Sequence, residues 1–385
     1  MAGMQRFPLV LSASLASTIG GVPFNTLPVV LGTLGGALGL SATALGDLAG
    51  TLFAGYFAGT LLALVFIDRL DWRWVTGAAA IGTAVAYAFS GMAKGVALSG
   101  ALALLVLFAA LMTALGLRVL AQLPNKEQAF GFRQSTELWL TAAVLFALPP
   151  LVIAPFGYPG LALALGGMAL LLGLSAFALP RGPDAPVTQA RLLPSWQESH
   201  LAWVVLLFFF VYLAGNIGLW AFLGTYAEHA AMSPAQSGLA FAVLKVLGGV
   251  AAATVAIVGG RLGLLRGQWT ALVGVSVGLL LLHSAATTGF LGFASGAWIW
   301  EFFFTVGCIL QTATIARFDG SQRLVVLVPA AFAASSMIAP PIAGRLLQHA
   351  GPDALLWVTF ALAAMPAVAY PLLLGPALRA STAPE

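Results

Sequence analysis

The chain has 385 residues, of which 61% are hydrophobic and 7% charged, against roughly 25% charged in an ordinary soluble domain. A water-soluble core cannot hide that much apolar surface, so the solvent is lipid. The net charge of +4 marks topology rather than nucleic-acid binding, because no Lys/Arg cluster is long enough for a nucleic-acid patch.

Apolar runs of about 20 residues or more predict membrane spans. In chain order they cover 8–37, 44–67, 73–92, 97–121, 131–154 and 157–179, then 201–227, 236–258, 268–288, 290–315, 324–349 and 353–375. Arg6 precedes the first run as in a signal peptide, but the run continues without a small-residue cleavage site and reads as a retained helix. Between the two sets lies the one long polar break, Arg181–His200, with three prolines and four charged residues. The expected organisation is a six-helix bundle over 1–180, a cytoplasmic linker over 181–200 and a second six-helix bundle over 201–385.

Charge fixes the orientation. With both termini in the cytoplasm, twelve of the sixteen Lys and Arg residues fall at inner helix ends. Only Lys94 and Arg345 fall at outer ends, while Arg118 and Lys245 lie within helices. This positive-inside bias requires an even number of spans and fits a bacterial inner (plasma) membrane. The single cysteine, Cys308, excludes an intrachain disulfide and a Cys-based zinc site, and the four histidines show no ligand spacing. No metal or cofactor is expected.

A shift of about 191 residues superposes the two sets. Asn25 falls on Asn216 and Pro149-Pro150 on Pro340-Pro341; Asp68-Arg69-Leu70 falls, one residue further, on Gly260-Arg261-Leu262. Three matches at a nearly constant offset predict two parallel, related halves, the repeat architecture of many secondary transporters.

With these features the chain resembles the major facilitator superfamily. The stretch Leu64-Val-Phe-Ile-Asp68-Arg69-Leu70-Asp71-Trp72-Arg73 matches the Asp-Arg pair and the later Arg of the family's motif between helices 2 and 3, and differs at both glycine positions. Ala339-Pro340-Pro341-Ile342-Ala343-Gly344 is similar to its Pro/Gly-rich helix 11. The resemblance covers nearly the whole chain and identifies no subfamily. It implies an all-α integral membrane fold of twelve helices in two pseudo-symmetric bundles, with helices 1, 4, 7 and 10 around a central path. It also implies that Asp68, Arg69 and Arg73 latch the bundles on the cytoplasmic side in the outward-facing state; the plainer reading is that these charges only set topology.

Ionisable groups within the bilayer are costly and face a cavity or a partner. Glu301 lies near mid-span, and Trp298, Glu301, Thr305, Cys308 and Thr312 share one helix face by spacing. Lys245 lies at similar depth. The two either neutralise each other structurally or form a site in which a substrate anion takes Lys245 and Glu301 then binds a proton. Arg118, Arg133 and Glu137 form an expected ion cluster at the inner gate, with Glu137 a second candidate for proton transfer; Arg133 precedes Glu137 by one turn. Asn25, and Tyr212, Asn216 and Trp220 on one face, are expected to line the path, the two asparagines facing each other; alternatively each asparagine bonds a neighbouring helix. Asp47 is expected to be solvated or to cap its helix. The glycines of the second span, among them Gly55 and Gly59, are expected to be packing surface.

These residues point to a secondary active transporter, with no P-loop for direct ATP use. The expected cargo is a small amphiphilic organic anion carried with protons; the rival is a drug or metabolite exporter by proton antiport. A membrane-embedded enzyme would need a metal-binding acidic cluster or a His/Asp pair that the short loops lack, and a transporter-like sensor carries no signalling domain here. The expected partners are the small-molecule substrate, protons and the bilayer, with no nucleic acid and the chain a monomer.

Overall fold

The computed structural model describes residues 2–120, 126–182, 196–262, 264–318 and 324–375. Among the described residues every regular element is helical: α1 (Ala2–Asn25), α2 (Leu27–Leu38), α3 (Ala42–Phe66), α4 (Trp72–Ser90), α5 (Gly95–Leu120), α6 (Lys126–Leu148), α7 (Ala154–Gly173), α8 (Trp196–His229), α9 (Pro234–Leu262), α10 (Leu264–His283), α11 (Ala285–Phe318), α12 (Val328–Ala350) and α13 (Pro352–Leu373), with short 3₁₀ and π turns between some of them. Ten stretches are long and apolar enough to cross a membrane; one of them, 132–178, runs through both α6 and α7.

The expected first span, 8–37, is not one helix. It breaks at Thr26 (φ −98°, ψ 0°) between α1 and α2. Pro28 follows two residues later, has no N–H to donate and sits in the first turn of the new helix. The Thr26 hydroxyl folds back onto the Val22 carbonyl at 2.8 Å. The two proline pairs that matched by sequence differ locally. Pro149 and Pro150 open a π turn over Pro149–Ile153, whereas Pro340 and Pro341 lie inside α12.

Short turns reverse the chain with left-handed residues. Among the described residues there are six: Gly39, Gly95 and Gly157 in the first half of the sequence, and Ala231, Gly289 and Gly351 in the second. The second set follows the first by 192, 194 and 194 residues, close to the 191 residues between Asn25 and Asn216. Gly157 and Gly289 also mark the breaks expected between 154 and 157 and between 288 and 290. The cap of α3 is Ser41, whose Oγ accepts from Ala44 N at 3.2 Å. Asp47 is therefore not the cap; it is exposed on the first turns of the helix.

The chain divides into two compact units, one of residues 1–188 with 233–245, the other of 189–232 with 246–385. In the first, α5 packs on α1, α3 and α4, while α4 packs on α7 and α1 on α6. Glycine sets the closeness: a Cβ on Gly55 would sit 2.8 Å from Ala103 Cα, and one on Gly59 would sit 2.9 Å from Ala110 Cβ. Gly55 and Gly59 are packing surface, as expected. Trp72, Met112, Leu115 and Ile19 lie in the core of this unit. In the second unit α8 packs on α11, α12 and α13, and α10 on α11 and α13. Ala251, Val255, Ala271, Val306 and Leu310 join α9, α10 and α11.

Candidate functional site

Each unit carries its own buried polar cluster. In the first it is built on α1 and α6. Arg133 and Glu137 are one turn apart on α6 and form an ion pair through Nη2 and Oε2, with side chains 14% and 8% exposed. The other carboxylate oxygen, Oε1, accepts from Asn25 Nδ2 at 3.1 Å. The same Asn25 amide donates to the Gly21 carbonyl at 3.0 Å. Arg133 Nε donates to Ser17 Oγ at 2.7 Å, and Nη1 to Gln134 Oε1 at 3.1 Å.

Gly21 makes room for this arrangement. A Cβ there would overlap the Glu137 carboxyl group and lie 2.7 Å from Oε2. Tyr56 on α3 and Thr113 on α5 border the cluster. Of the expected cluster of Arg118, Arg133 and Glu137, the Arg133–Glu137 pair is formed, and Asn25 joins it. Sequence reasoning found the Arg133–Glu137 spacing and the shared face of Gly21 and Asn25, and missed Ser17.

In the second unit the cluster is aromatic. Asn216 on α8 donates its amide to the Tyr212 carbonyl at 2.8 Å and accepts from Trp300 Nε1 at 2.9 Å. Trp300 stacks on Phe304 at 5.6 Å, and Phe304 on Tyr212 at 5.8 Å. The Tyr212 hydroxyl reaches the Phe304 carbonyl at 3.2 Å, in a notch left by Gly307. Tyr212, Asn216 and Trp220, which share a face of α8, are all buried. Asn25 and Asn216 therefore each bond a neighbouring helix of their own unit, the plainer of the two readings of their matched positions.

Glu301 is 7% exposed. Its Oε1 lies 3.1 Å from where a Cβ on Gly248 of α9 would stand, and Thr305 Oγ1 lies 3.7 Å from that point. Glu301 and Thr305 thus face the same bare stretch of α9, as their spacing predicted. Lys245, 4% exposed, precedes Gly248 by three residues on that helix. Trp298 borders a shallow apolar groove with Leu247, Ser295, Ile299, Phe302 and Phe303, and the fully buried tryptophan of this helix is Trp300, which the sequence reading passed over. Gln311, which receives the Tyr370 hydroxyl at 2.7 Å, was also missed.

At the expected latch, Asp68's side chain lies outside the described residues, and Arg69 is exposed. The carboxylate at the helix N-terminus is Asp71, which caps α4 by accepting from Arg73 N at 2.9 Å and from Trp74 N at 3.4 Å. Arg73 turns to its own unit, its Nε donating to the Leu179 carbonyl at 2.5 Å. Trp72 is fully buried between them, with Nε1 on the Ile67 carbonyl at 2.7 Å.

Among the described residues, no group of three or more His, Cys, Asp or Glu side chains is placed to hold a metal ion. No family model matches the sequence, and no curated protein matches it. Solved structures do match its fold. A D-xylose-proton symporter is 14% identical with a TM-score of 0.76, over 94% of this chain and 96% of that one. The nucleoside transporter NupG is 13% identical, TM-score 0.71, over 94% and 96%. A bacterial homologue of the human lysosomal transporter Spinster is 14% identical, TM-score 0.66, over 94% of each chain. The chain is similar in fold to these all-helical membrane transporters.

Proposed function

We propose that the chain is a secondary active transporter that moves a small amphiphilic organic anion together with protons by alternating access. In this reading its twelve transmembrane helices form two six-helix halves, 1–180 and 201–385, joined by a cytoplasmic linker. Both termini are cytoplasmic, the membrane is the bacterial inner membrane, and the chain works as a monomer.

The observation that carries the reading is the placement of Glu301. A carboxylate buried in an apolar helix is expensive unless it works, and this one rests on the bare backbone of Gly248, one turn from Lys245. Lys245 draws the substrate's carboxylate, and Glu301, its counter-charge taken, binds the proton. Asn25, Tyr212, Asn216, Trp220, Trp298 and Thr305 supply the polar and aromatic contacts for the rest of the molecule. Glu137 is the second proton site, and Asp68, Arg69, Arg73, Arg118 and Arg133 form the cytoplasmic gate. One fold neighbour, the D-xylose-proton symporter, is proton-coupled by name.

The test is flux into proteoliposomes. Carboxylate uptake driven by an inward proton gradient, abolished in Lys245→Ala and uncoupled from the gradient in Glu301→Gln, is expected. Carboxylate uptake that persists in Lys245→Ala would refute the mechanism. Proton-driven export of lipophilic cations, spared by Lys245→Ala and lost in Glu301→Gln, would establish the antiport alternative instead.

A further inference from the structure

We infer that the cluster on α1 and α6 is a carboxylate-binding station in which Glu137 is the tethered occupant, displaced by the substrate's carboxylate when Glu137 takes a proton. The inference rests on the reading of the cargo as an organic anion carried with protons, and it names a station in the first unit for that anion.

Each Glu137 oxygen is held from a different helix: Oε2 by Arg133 Nη2 on α6, and Oε1 by Asn25 Nδ2 on α1. Any carboxylate presents the same two oxygens, so this donor set has no feature specific to a glutamate side chain. The guanidinium does not depend on Glu137 for its orientation, since Nε is fixed on Ser17 Oγ and Nη1 on Gln134 Oε1. Removing Glu137's charge therefore leaves Arg133 aimed and Nη2 available. The bare backbone at Gly21 provides the space the carboxyl group fills.

Charge sets the order of events. Arg133 is nearly buried and needs one negative partner at all times. Without a proton on Glu137, a second carboxylate would place two anions on one guanidinium. With the proton, Glu137 is neutral and donates its O–H, and the incoming carboxylate takes Arg133 Nη2 and Asn25 Nδ2. One proton and one anion enter together, and the station's net charge is unchanged.

Among the described residues, the Tyr56 phenol from α3 and the Thr113 hydroxyl from α5 also border it. Arg118 is the remaining charge on α5. Asn25 is the last residue of α1, directly before the break at Thr26. Exchange of the occupant therefore acts at the point where the span changes direction.

The experiment is benzoate binding to the purified full chain, followed by thermal stabilisation in acidic and alkaline buffer, with benzamide as the neutral control. In the wild type benzoate stabilises in acid and far less in alkali. In Glu137→Gln, which mimics the protonated acid, the station is open at both pH values, and alkaline affinity rises about tenfold or more because the competing occupant is gone. Adding Arg133→Gln to that variant removes the gain. Asn25→Ala, which keeps the ion pair and deletes one donor, weakens benzoate about tenfold in acid without moving the pH profile. No response of the wild type to benzoate at either pH would overturn the anion reading itself. A wild-type response whose size and pH profile are unchanged in Glu137→Gln, or in Asn25→Ala should the former fail to fold, would overturn the station alone.

Discussion

Gly21→Ala is the sharpest structural test of the first cluster, because one methyl group must displace a charged, doubly bonded side chain. The new Cβ would lie 2.7 Å from Glu137 Oε2 and closer still to the rest of the carboxyl group, and α1 cannot retreat. Gly116 of α5 packs on the same helix, with its own Cβ position 2.6 Å from the Ala13 carbonyl. Glu137 must therefore swing away from Arg133 and Asn25. A charge-assisted hydrogen bond is worth about 1.5–3 kcal/mol and a neutral one about 1. Little is lost to solvent screening, because the pair is 14% and 8% exposed. Against this, alanine in place of glycine stabilises a helix interior by about 0.5–1 kcal/mol, so the net destabilisation is about 2 kcal/mol. The assay is the apparent melting midpoint in detergent at one scan rate, beside Gly36→Ala, where the added methyl meets nothing within 4 Å. Gly36→Ala should melt at or above the wild type and Gly21→Ala well below it. The penalty should shrink when Gly21→Ala is made in a Glu137→Ala background, since the clash partner is gone. Equal midpoints for the two glycine variants would refute the close approach of Gly21 and Glu137.

Trp300→Phe keeps the aromatic ring and deletes the donor to Asn216 Oδ1; leaving that acceptor buried should destabilise by about 1–3 kcal/mol, read as a lower melting midpoint. Ala231 stands at φ 52°, so Ala231→Gly should raise the midpoint by the equivalent of about 1 kcal/mol. Gly351, at φ 83° with open space around it, should do the reverse when changed to alanine. Asp71→Ala removes the cap of α4 and should lower stability by about 0.5–2 kcal/mol.

Much of the architecture is legible in the sequence because the bilayer imposes it. Length and hydropathy place the spans, and glycine at a turn places the breaks, as at Gly157 and Gly289. Facing is harder to read. A helix that is apolar all round carries no stripe to say which side meets which neighbour. The Arg133–Glu137 spacing could be read because it lies within one helix, but Ser17, Gly21 and Asn25 reach that pair only through the packing of α1 on α6. The same limit explains Trp300, which stands next to Glu301 in the chain yet turns to Asn216 on another helix. At the loop before α4, four acidic and basic residues within six positions offered several pairings. Asp71 won the cap because it directly precedes the first helical turn, where backbone N–H groups are unpaired.

The two halves of the sequence share backbone geometry more closely than chemistry. Among the described residues each has three left-handed turn residues at nearly matched spacing, because a short reversal between long helices needs that conformation whatever the helices do. Each also has an asparagine whose amide folds back on the carbonyl four residues earlier, Asn25 on Gly21 and Asn216 on Tyr212. Beyond that bond they part. Asn25 donates to a carboxylate beside an arginine, and Asn216 accepts from a tryptophan in a stack of three rings. The same backbone position thus serves an ionic cluster in one half and a neutral, aromatic one in the other. A repeat that served packing alone would have little reason to hold a charged pair at Arg133 and Glu137, where burial of each ion is costly. That asymmetry is why the ion pair on α6, rather than either asparagine, is the place to look for proton-linked behaviour in the first unit.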